Sequence, residues 1–176
     1  MTRSTAAMLR PITKYGDHVL RQAAAPVAEP TPEIQQLIDD MIATMYAAPG
    51  IGLAAPQVGV PLRIFVVDLS VGRRGGDLKV VLNPRFVERE GTQLEEEGCL
   101  SLPGFTATVL RPARAVVSGL DRDGRPQTIT GEGLLARALQ HEMDHLDGTL
   151  FVDRLRGIKR EQILRKVQKL KRQGQW

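Results

Sequence analysis

The chain of 176 residues is poor in cysteine, in aromatic residues and in long apolar runs. Its single cysteine, Cys99, cannot form an internal disulfide, which is typical of proteins from a reducing compartment. Aromatic residues make up 4% of the chain, so we expect an aliphatic core and no base-stacking surface for single-stranded nucleic acid. No apolar run approaches the ~20 residues that a membrane helix needs, so we expect no membrane partner.

The N-terminal segment, MTRSTAAMLRPITKYG, lacks the apolar stretch of ~7–15 residues that defines a secretory signal. It has arginine and serine but no acidic residue, a composition that organelle transit peptides share. We therefore expect a soluble protein of the bacterial cytoplasm, with an organelle form as the alternative. Residues 1–8 are expected to be flexible.

The composition is otherwise that of an ordinary globular protein. Hydrophobic residues make up 42% and charged residues 25%, which argues against disordered, collagen-like and coiled-coil chains. The length suits one compact domain with its own core. We expect a single catalytic domain over residues 1–176.

Positive charge is concentrated near the C-terminus. Residues 154–172 contain nine lysines and arginines against one acid, Glu161, a net +8, so the rest of the chain carries −4 of the total +4. A mildly acidic body with a basic tail differs from a uniformly basic nucleic-acid binder. The tail can therefore have a partner other than the substrate.

Three segments have helical spacing of apolar residues. Residues 31–47 begin with a Thr-Pro-Glu capping sequence, residues 133–145 lead into a His-rich stretch, and residues 157–172 form a basic amphipathic helix. Short strand-like runs fill the middle of the chain, at residues 63–69, 78–82, 93–96, 106–110, 115–120 and 127–130. The pattern predicts an α+β fold in which antiparallel or mixed strands pack around a central metal-binding helix, with a further C-terminal helix.

The segment His141-Glu142-Met143-Asp144-His145 carries the strongest chemical signal. Residues i and i+4 share one helical face, so both imidazoles can bind one metal ion. Glu142 projects about 100° away around the helix, which suits a general base beside the metal. A solvated polar helix is the alternative for such a short pattern. The third histidine, His18, is expected to be a surface or capping residue.

A catalytic site of this kind needs a third ligand, and Cys99 is the candidate. A thiolate binds borderline-soft divalent metals well, and two histidines with one cysteine leave a fourth position open. Gly98 lets the backbone come close. The alternative is a buried structural cysteine.

Small residues dominate a third segment, GIGLAAPQ at residues 50–57. Gly50, Gly52 and the two alanines would let a ligand backbone lie close. Gln57 is the polar group among them and could donate to a developing oxyanion. The segment lacks the Gly-Lys-Ser/Thr of a phosphate loop, and a tight glycine turn is the alternative.

Together the three segments resemble the peptide deformylase family. Its pattern Gly-φ-Gly-φ-Ala-Ala-x-Gln, Glu-Gly-Cys-φ-Ser, His-Glu-φ-Asp-His matches residues 50–57, 97–101 and 141–145 in order and at every fixed position. The likeness spans about residues 9–172. It implies hydrolysis of the formyl group from the N-terminal methionine of new proteins, with Glu142 as the base and with Gln57 and the Leu100 N–H facing the oxyanion.

The resemblance also implies the partners and the cofactor. Substrate backbone would pair in strand fashion with Ile51 and Gly98, and Leu134, Arg137 and Ala138 would wall the methionine pocket. We expect the Arg137 charge either to reach the pocket mouth or to turn away toward a carboxylate. The family mostly uses Fe²⁺, with Zn²⁺, Ni²⁺ or Co²⁺ as substitutes. The basic C-terminal helix implies ribosome contact, and no oligomer is implied.

Two other functions fit part of the pattern. A general zincin metallopeptidase would share the metal helix, but it gives no role to Gln57 or to a cysteine ligand. A non-enzymatic ribosome-associated protein would keep the basic tail, but it would be expected to have lost Glu142 or a ligand.

Overall fold

A computed structural model describes residues 6–176 and gives an α+β fold, as the sequence predicts. The helices of this part are α1 (Pro32–Ala47), α2 (Gly133–Leu146) and α3 (Ile158–Arg172), with short 3-10 helices at His18–Arg21, Ala55–Val58 and Phe151–Arg154. The strands are β1 (Gly52–Ala54), β2 (Ile64–Val67), β3 (Lys79–Glu90), β4 (Gln93–Gly98), β5 (Thr106–Arg111), β6 (Arg114–Leu120) and β7 (Pro126–Glu132).

The strands form two antiparallel sheets. One has five strands in the order β1-β2-β3-β6-β7, and the other is the pair β4-β5. A parallel contact occurs outside the named strands, as a bridge between Ala25 and Leu62. The GIGLAAPQ segment therefore belongs to the large sheet through β1, whereas the cysteine segment follows β4 of the small sheet.

Two strand predictions were incomplete. The sequence analysis took residues 50–57 only as a close-approach segment, but Gly52–Ala54 pairs with β2 as the edge strand β1. The strand predicted at 78–82 continues to Glu90. Pro84 cannot donate to a sheet, and β3 accommodates it through register shifts against β6 and a positive φ of 50° at Asn83.

The first helix begins as its sequence predicts. The Thr31 hydroxyl accepts a hydrogen bond from the Ile34 N–H over 3.3 Å, and Pro32 occupies the first turn, where no N–H is needed. The apolar stripe of α1 is buried, with Ile38 and Met41 fully inaccessible to solvent. This face packs with residues of β1 and β2 in one apolar cluster.

Helix α2 is buried from Ala136 to Leu146 and contacts β1, β2, β6 and β7. Its approach to β7 depends on Gly131, because a Cβ there would lie 2.9 Å from the backbone nitrogen of Ala136. In α3, Ile163 and Val167 are buried in a cluster that includes Leu102. The site residues of α2 from Arg137 onward are therefore held by packing, whereas Leu134 in the first turn is exposed.

Of the segment expected to be flexible, residues 1–5 lie outside the described part. At Met8 the backbone N–H donates to Asp40 over 2.8 Å, which ties the chain to α1 from this residue onward. Among the described residues, no helix combines the length and the apolar character needed to cross a membrane.

Candidate active site and metal centre

The two histidines of the HEMDH segment lie one turn apart on α2 and face the same point. Their Nε2 atoms are 3.2 Å apart, and both side chains are buried. This arrangement follows from helix geometry, which places residues i and i+4 on one face. The two imidazoles thus lie where both could bind one metal ion.

Cys99 follows the last residue of β4 and points into the same place. Its Sγ is 3.3 Å from His145 Nε2 and accepts a hydrogen bond from the Ser101 N–H over 3.4 Å. The ligand atoms of Cys99, His141 and His145 all lie within 4.8 Å of one another. Residues 42 and 46 positions apart in the chain thus form one cluster.

These three residues fit a bound divalent cation. Two imidazole nitrogens at 3.2 Å cannot both direct lone pairs at each other without repulsion, whereas a shared cation would accept both pairs. One thiolate and two imidazoles suit a borderline-soft divalent metal. Three protein ligands also leave a coordination position for a reacting group, as in catalytic sites.

Glu142 is buried beside the cluster. Among residues 6–176, its Oε2 and the Nδ1 of His145 are the two buried side-chain polar atoms without a hydrogen-bond partner. Burial raises the pKa of Glu142 to about 7, so that this carboxyl could accept and release a proton near neutral pH. A Cβ on Gly52 would lie 2.5 Å from Glu142 Oε1, so glycine at this position makes room for the carboxylate.

Gln57 lies in the 3-10 helix that follows β1 and is almost completely buried. Its Oε1 accepts from the Ala54 N–H over 2.9 Å, which fixes the direction of the amide. Its Nε2 therefore faces the cluster, 3.1 Å from Ser101 Oγ and 3.6 Å from Cys99 Sγ. The structure thus brings the amide donor to the three candidate ligands.

A cavity of about 680 Å³ opens above this cluster. Three stretches of the chain line it: residues 49–52 with Gln57, residues 96–106 except Ser101, and one face of α2. The α2 face contributes Leu134, Arg137, Ala138, His141 and Glu142. Every residue that the sequence analysis assigned to the site, except His145 beneath it, therefore lines one cavity, while His18 lies on the surface.

The family model for polypeptide deformylase matches residues 9–161. A peptide deformylase of Acidobacterium capsulatum is 48% identical over 169 residues, covering 96% of this chain and 99% of the relative. One of Thermodesulfovibrio yellowstonii is 53% identical over 161 residues, covering 92% and 97%. The crystal structure of a peptide deformylase from Legionella pneumophila has a TM-score of 0.89 at 47% identity, over 95% of this chain and 98% of that one.

The chain belongs to the polypeptide deformylase family. It is accordingly a metal-dependent hydrolase that removes the N-formyl group from nascent peptides. A further solved relative, the peptide deformylase of Synechococcus elongatus in complex with actinonin, has a TM-score of 0.86 at 43% identity, over 92% of this chain and 90% of that one.

Within this deformylase fold, one expectation for Arg137 was wrong. Its guanidinium does not reach solvent at the cavity mouth, because the residue is 3% exposed and its head group is hydrogen-bonded within the protein. It donates to Glu97 Oε1 over 2.8 Å and to the Val109 carbonyl over 2.7 Å. A buried guanidinium needs such partners to offset the loss of water, so the second expectation, pairing with a carboxylate, is the one observed.

The sequence analysis missed the part that Glu97 has in the deformylase site. This buried carboxylate accepts from both Arg111 and Arg137, and its Oε2 lies 2.7 Å from His141 Nδ1. Burial alone would raise the pKa of Glu97, but the hydrogen bonds from Arg111 and His141 lower it well below its ordinary value. A signal was present: Arg111 falls on the buried, apolar face of the alternating strand β5, where an arginine implies a buried partner.

Two backbone positions of the deformylase cleft already have partners within the fold. The Ile51 carbonyl accepts from the Asp68 N–H over 2.8 Å, and Gly98 pairs with Thr106 across the small sheet. Leu100 packs against the glycine segment, since a Cβ on Gly50 would lie 2.8 Å from its Cδ1. The small residues at 50 and 52 thus leave space for Leu100 and Glu142 respectively.

Proposed function

We propose that Cys99, His141 and His145 hold one divalent metal, Fe²⁺ in the cell, at which formyl-methionyl nascent peptides are hydrolysed. The convergence of the three ligand atoms within 4.8 Å, beside a buried and unpartnered carboxylate oxygen, carries this proposal. Iron rests on the family resemblance, with Zn²⁺, Ni²⁺ or Co²⁺ as substitutes. The whole chain acts as one catalytic domain in the cytoplasm.

Glu142 moves the protons of the reaction. It takes a proton from the attacking water, whose oxygen bonds to the formyl carbon, and returns a proton to the leaving amine nitrogen. The C–N bond then breaks and yields formate and a free N-terminus. A bound divalent metal would supply Lewis-acid polarisation of the formyl carbonyl and a lower pKa for water. The burial of Glu142 raises its pKa, which is the direction that suits a carboxyl group accepting and releasing a proton near neutral pH.

Gln57 and Leu100 stabilise the negative charge that develops on the formyl oxygen. The Gln57 amide is held with its Nε2 toward the cluster, so it can donate without reorganising. The Leu100 N–H is the second donor, by likeness to the family. Both act as the carbonyl carbon becomes tetrahedral.

The substrate lies in the cavity as an extended peptide. Its backbone pairs with Ile51 and Gly98, which line the cavity beside the large and the small sheet respectively. Gly52 has no side chain that would obstruct the peptide at this edge of the cavity. Leu134 and Ala138 wall the pocket for the methionine side chain. The Ile51 carbonyl already accepts from Asp68, so substrate pairing there uses the Ile51 N–H or the carbonyl's second lone pair.

Two substitutions separate metal binding from chemistry. Cys99→Ser should lose most of the metal, because a hydroxyl is not ionised at neutral pH whereas a coordinating thiol is. Glu142→Gln should keep the metal but lose on the order of 10²–10⁴ in turnover, since the base is gone. The measurements are metal content and formate release from formyl-Met-Ala-Ser.

Stoichiometric metal and full turnover in Cys99→Ser would contradict the three-ligand site. Loss of metal in Glu142→Gln would make that residue a ligand. Cleavage of N-blocked internal peptides in preference to formyl-methionyl peptides would favour the general metallopeptidase. Actinonin, which the Synechococcus elongatus relative binds, should compete with the formyl peptide if both occupy the cavity.

We also propose that α3 contacts the ribosome through its basic face. Lys166, Lys169 and Arg172 are exposed and lie along one shallow groove of the helix. Phosphate groups of RNA would neutralise such a face, whereas the apolar stripe of α3 is already used against the body of the protein.

A further inference from the structure

The metal ligands come from two parts of the fold that are joined by buried charges. His141 and His145 are on α2, whereas Cys99 follows β4 of the small sheet. Helix α2 packs its backbone closely against β1, β2, β6 and β7, all of the large sheet. The relative position of α2 and the small sheet therefore depends strongly on side chains that reach from one to the other.

Arg137 is such a side chain, one turn before His141 on α2. Its Nε donates to Gln93 Oε1 over 3.0 Å, its Nη1 to Glu97 Oε1 over 2.8 Å and its Nη2 to the Val109 carbonyl over 2.7 Å. The three acceptors belong to both strands of the small sheet, β4 and β5. The planar fork of donors thus fixes α2 against that sheet in distance and in orientation.

The same guanidinium fixes the carboxylate that faces a metal ligand. Glu97 Oε1 accepts from Arg137 and from Arg111 Nε, each over 2.8 Å, while Oε2 accepts from Arg111 Nη2 and lies 2.7 Å from His141 Nδ1. With both oxygens held, Glu97 can keep the His141 ring in one orientation. In that orientation Nδ1–H donates to Glu97 and Nε2 is free for the metal.

We propose that Arg137 is a positioning residue for the metal centre, which holds Glu97 against His141 and α2 against the small sheet. This inference rests on the metal site proposed above. It replaces a direct role for the Arg137 charge in substrate recognition, because the residue is 3% exposed and its guanidinium already donates to three acceptors of the small sheet.

Replacement of Arg137 should weaken metal binding. Replacing Arg137 by an apolar side chain removes one donor from Glu97 and leaves the Val109 carbonyl and Gln93 amide oxygen without this partner. Arg137 acts on His141 through Glu97, and loss of such outer support of a histidine ligand typically costs about 10–100-fold in metal affinity or activity. The substrate pocket would change little, since methionine has a stem similar to that of arginine.

The test is competition of Zn²⁺-loaded protein with a chelator, in the wild type, Arg137→Met, Arg137→Lys and a control. In Arg137→Met the Zn²⁺ affinity should fall about 10–100-fold, while the KM for formyl-Met-Ala-Ser stays within about twofold. Lysine keeps the positive charge but cannot donate to three acceptors at once. The Zn²⁺ affinity of Arg137→Lys should therefore lie between those of the wild type and Arg137→Met. In the Co²⁺ form, the ligand-field spectrum of Arg137→Met should broaden or shift.

Arg10→Met is the matched control, because it also removes an arginine from a buried carboxylate, Asp40, but away from the metal site. It should lower the melting temperature and leave Zn²⁺ affinity unchanged. A folded Arg137→Met with wild-type affinity, or with a raised KM alone, overturns the inference; if that variant does not fold, unchanged affinity in Arg137→Lys does so. Failure of the wild type to bind one equivalent of metal would instead contradict the proposed metal site.

Discussion

At the scale of single residues, the site contains two buried glutamates whose surroundings move their pKa values in opposite directions. Glu97 faces Arg111, Arg137 and His141, and its pKa is lowered, so it remains ionised. Glu142 is buried with one oxygen unpartnered, and its pKa is raised to about 7. In the proposed site the same side chain thus orients a metal ligand at one position and exchanges protons at the other.

Gln57 offers a prediction at this scale. Gln57→Glu keeps an oxygen for the Ala54 N–H but removes the amide donor, so turnover should fall by about 10²–10³ while metal content is retained. The measurement is formate release with metal analysis of the same sample. Gln127→Glu is a control: it removes an amide donor in the same way, but the acceptors of Gln127 are the backbone carbonyls of Val80 and Leu120, elsewhere in the fold. A loss of tenfold or less in Gln57→Glu would reduce Gln57 to a structural role.

At the scale of elements, α3 has two faces with different tasks. Ile163 and Val167 are buried with Leu102, which lines the cavity three residues after Cys99. Deleting α3 would therefore expose apolar surface and disturb the wall of the active site. Its basic face is better tested by neutralising charges than by truncation.

The triple variant Lys166→Gln, Lys169→Gln, Arg172→Gln should weaken ribosome binding about tenfold or more at low salt, because phosphate contacts release counterions. Co-sedimentation with ribosomes at increasing salt measures the effect, and peptide deformylation should be unchanged. The control Arg73→Gln, Arg85→Gln, Arg125→Gln removes equal charge from exposed positions elsewhere. Equal loss in both triple variants would show that total charge, and not α3, decides the binding.

At the scale of the whole molecule, the fold holds several carboxylates in their charged form. Burial alone would raise the pKa of each, but hydrogen bonds and nearby arginines outweigh it and the pKa is lowered; these residues are Asp40, Asp68, Glu97 and Asp153. A lowered folded-state pKa contributes stability that is present above the unfolded pKa and is lost as pH falls toward the folded value.

The urea midpoint of unfolding should therefore fall steeply as the pH is lowered from about 6 to about 3. Asp68→Asn should be less stable than the wild type at about pH 6. The difference should shrink on acidification, because protonation removes from the wild type the carboxylate interactions that the variant lacks at every pH. Asp68 is fully buried and accepts hydrogen bonds from Tyr46, Ser70 and Gly72, so its contribution to the pH dependence of stability can be measured in this variant. A midpoint independent of pH would contradict this account.

The sequence by itself determined the features that depend on local geometry and on chemical type. The i and i+4 spacing of His141 and His145 needs only a helix, and the Thr31 cap with its apolar stripe needs only α1. The ordered motifs also indicated the family, and with it Cys99 as the proposed third ligand. The two helix predictions rest on neighbours in the chain, whose relation is nearly independent of the rest of the fold.

Tertiary structure alone decided what depends on residues far apart in sequence. Periodicity placed Arg137 on the same helical side as His141, but it could not say whether the guanidinium would meet water or a carboxylate 40 positions away. The roles of Glu97 and Arg111 were hidden for the same reason, since each partner lies on another element. Burial of charge is tolerated only where several partners converge, and that convergence is set by the packing of α2 on the two sheets.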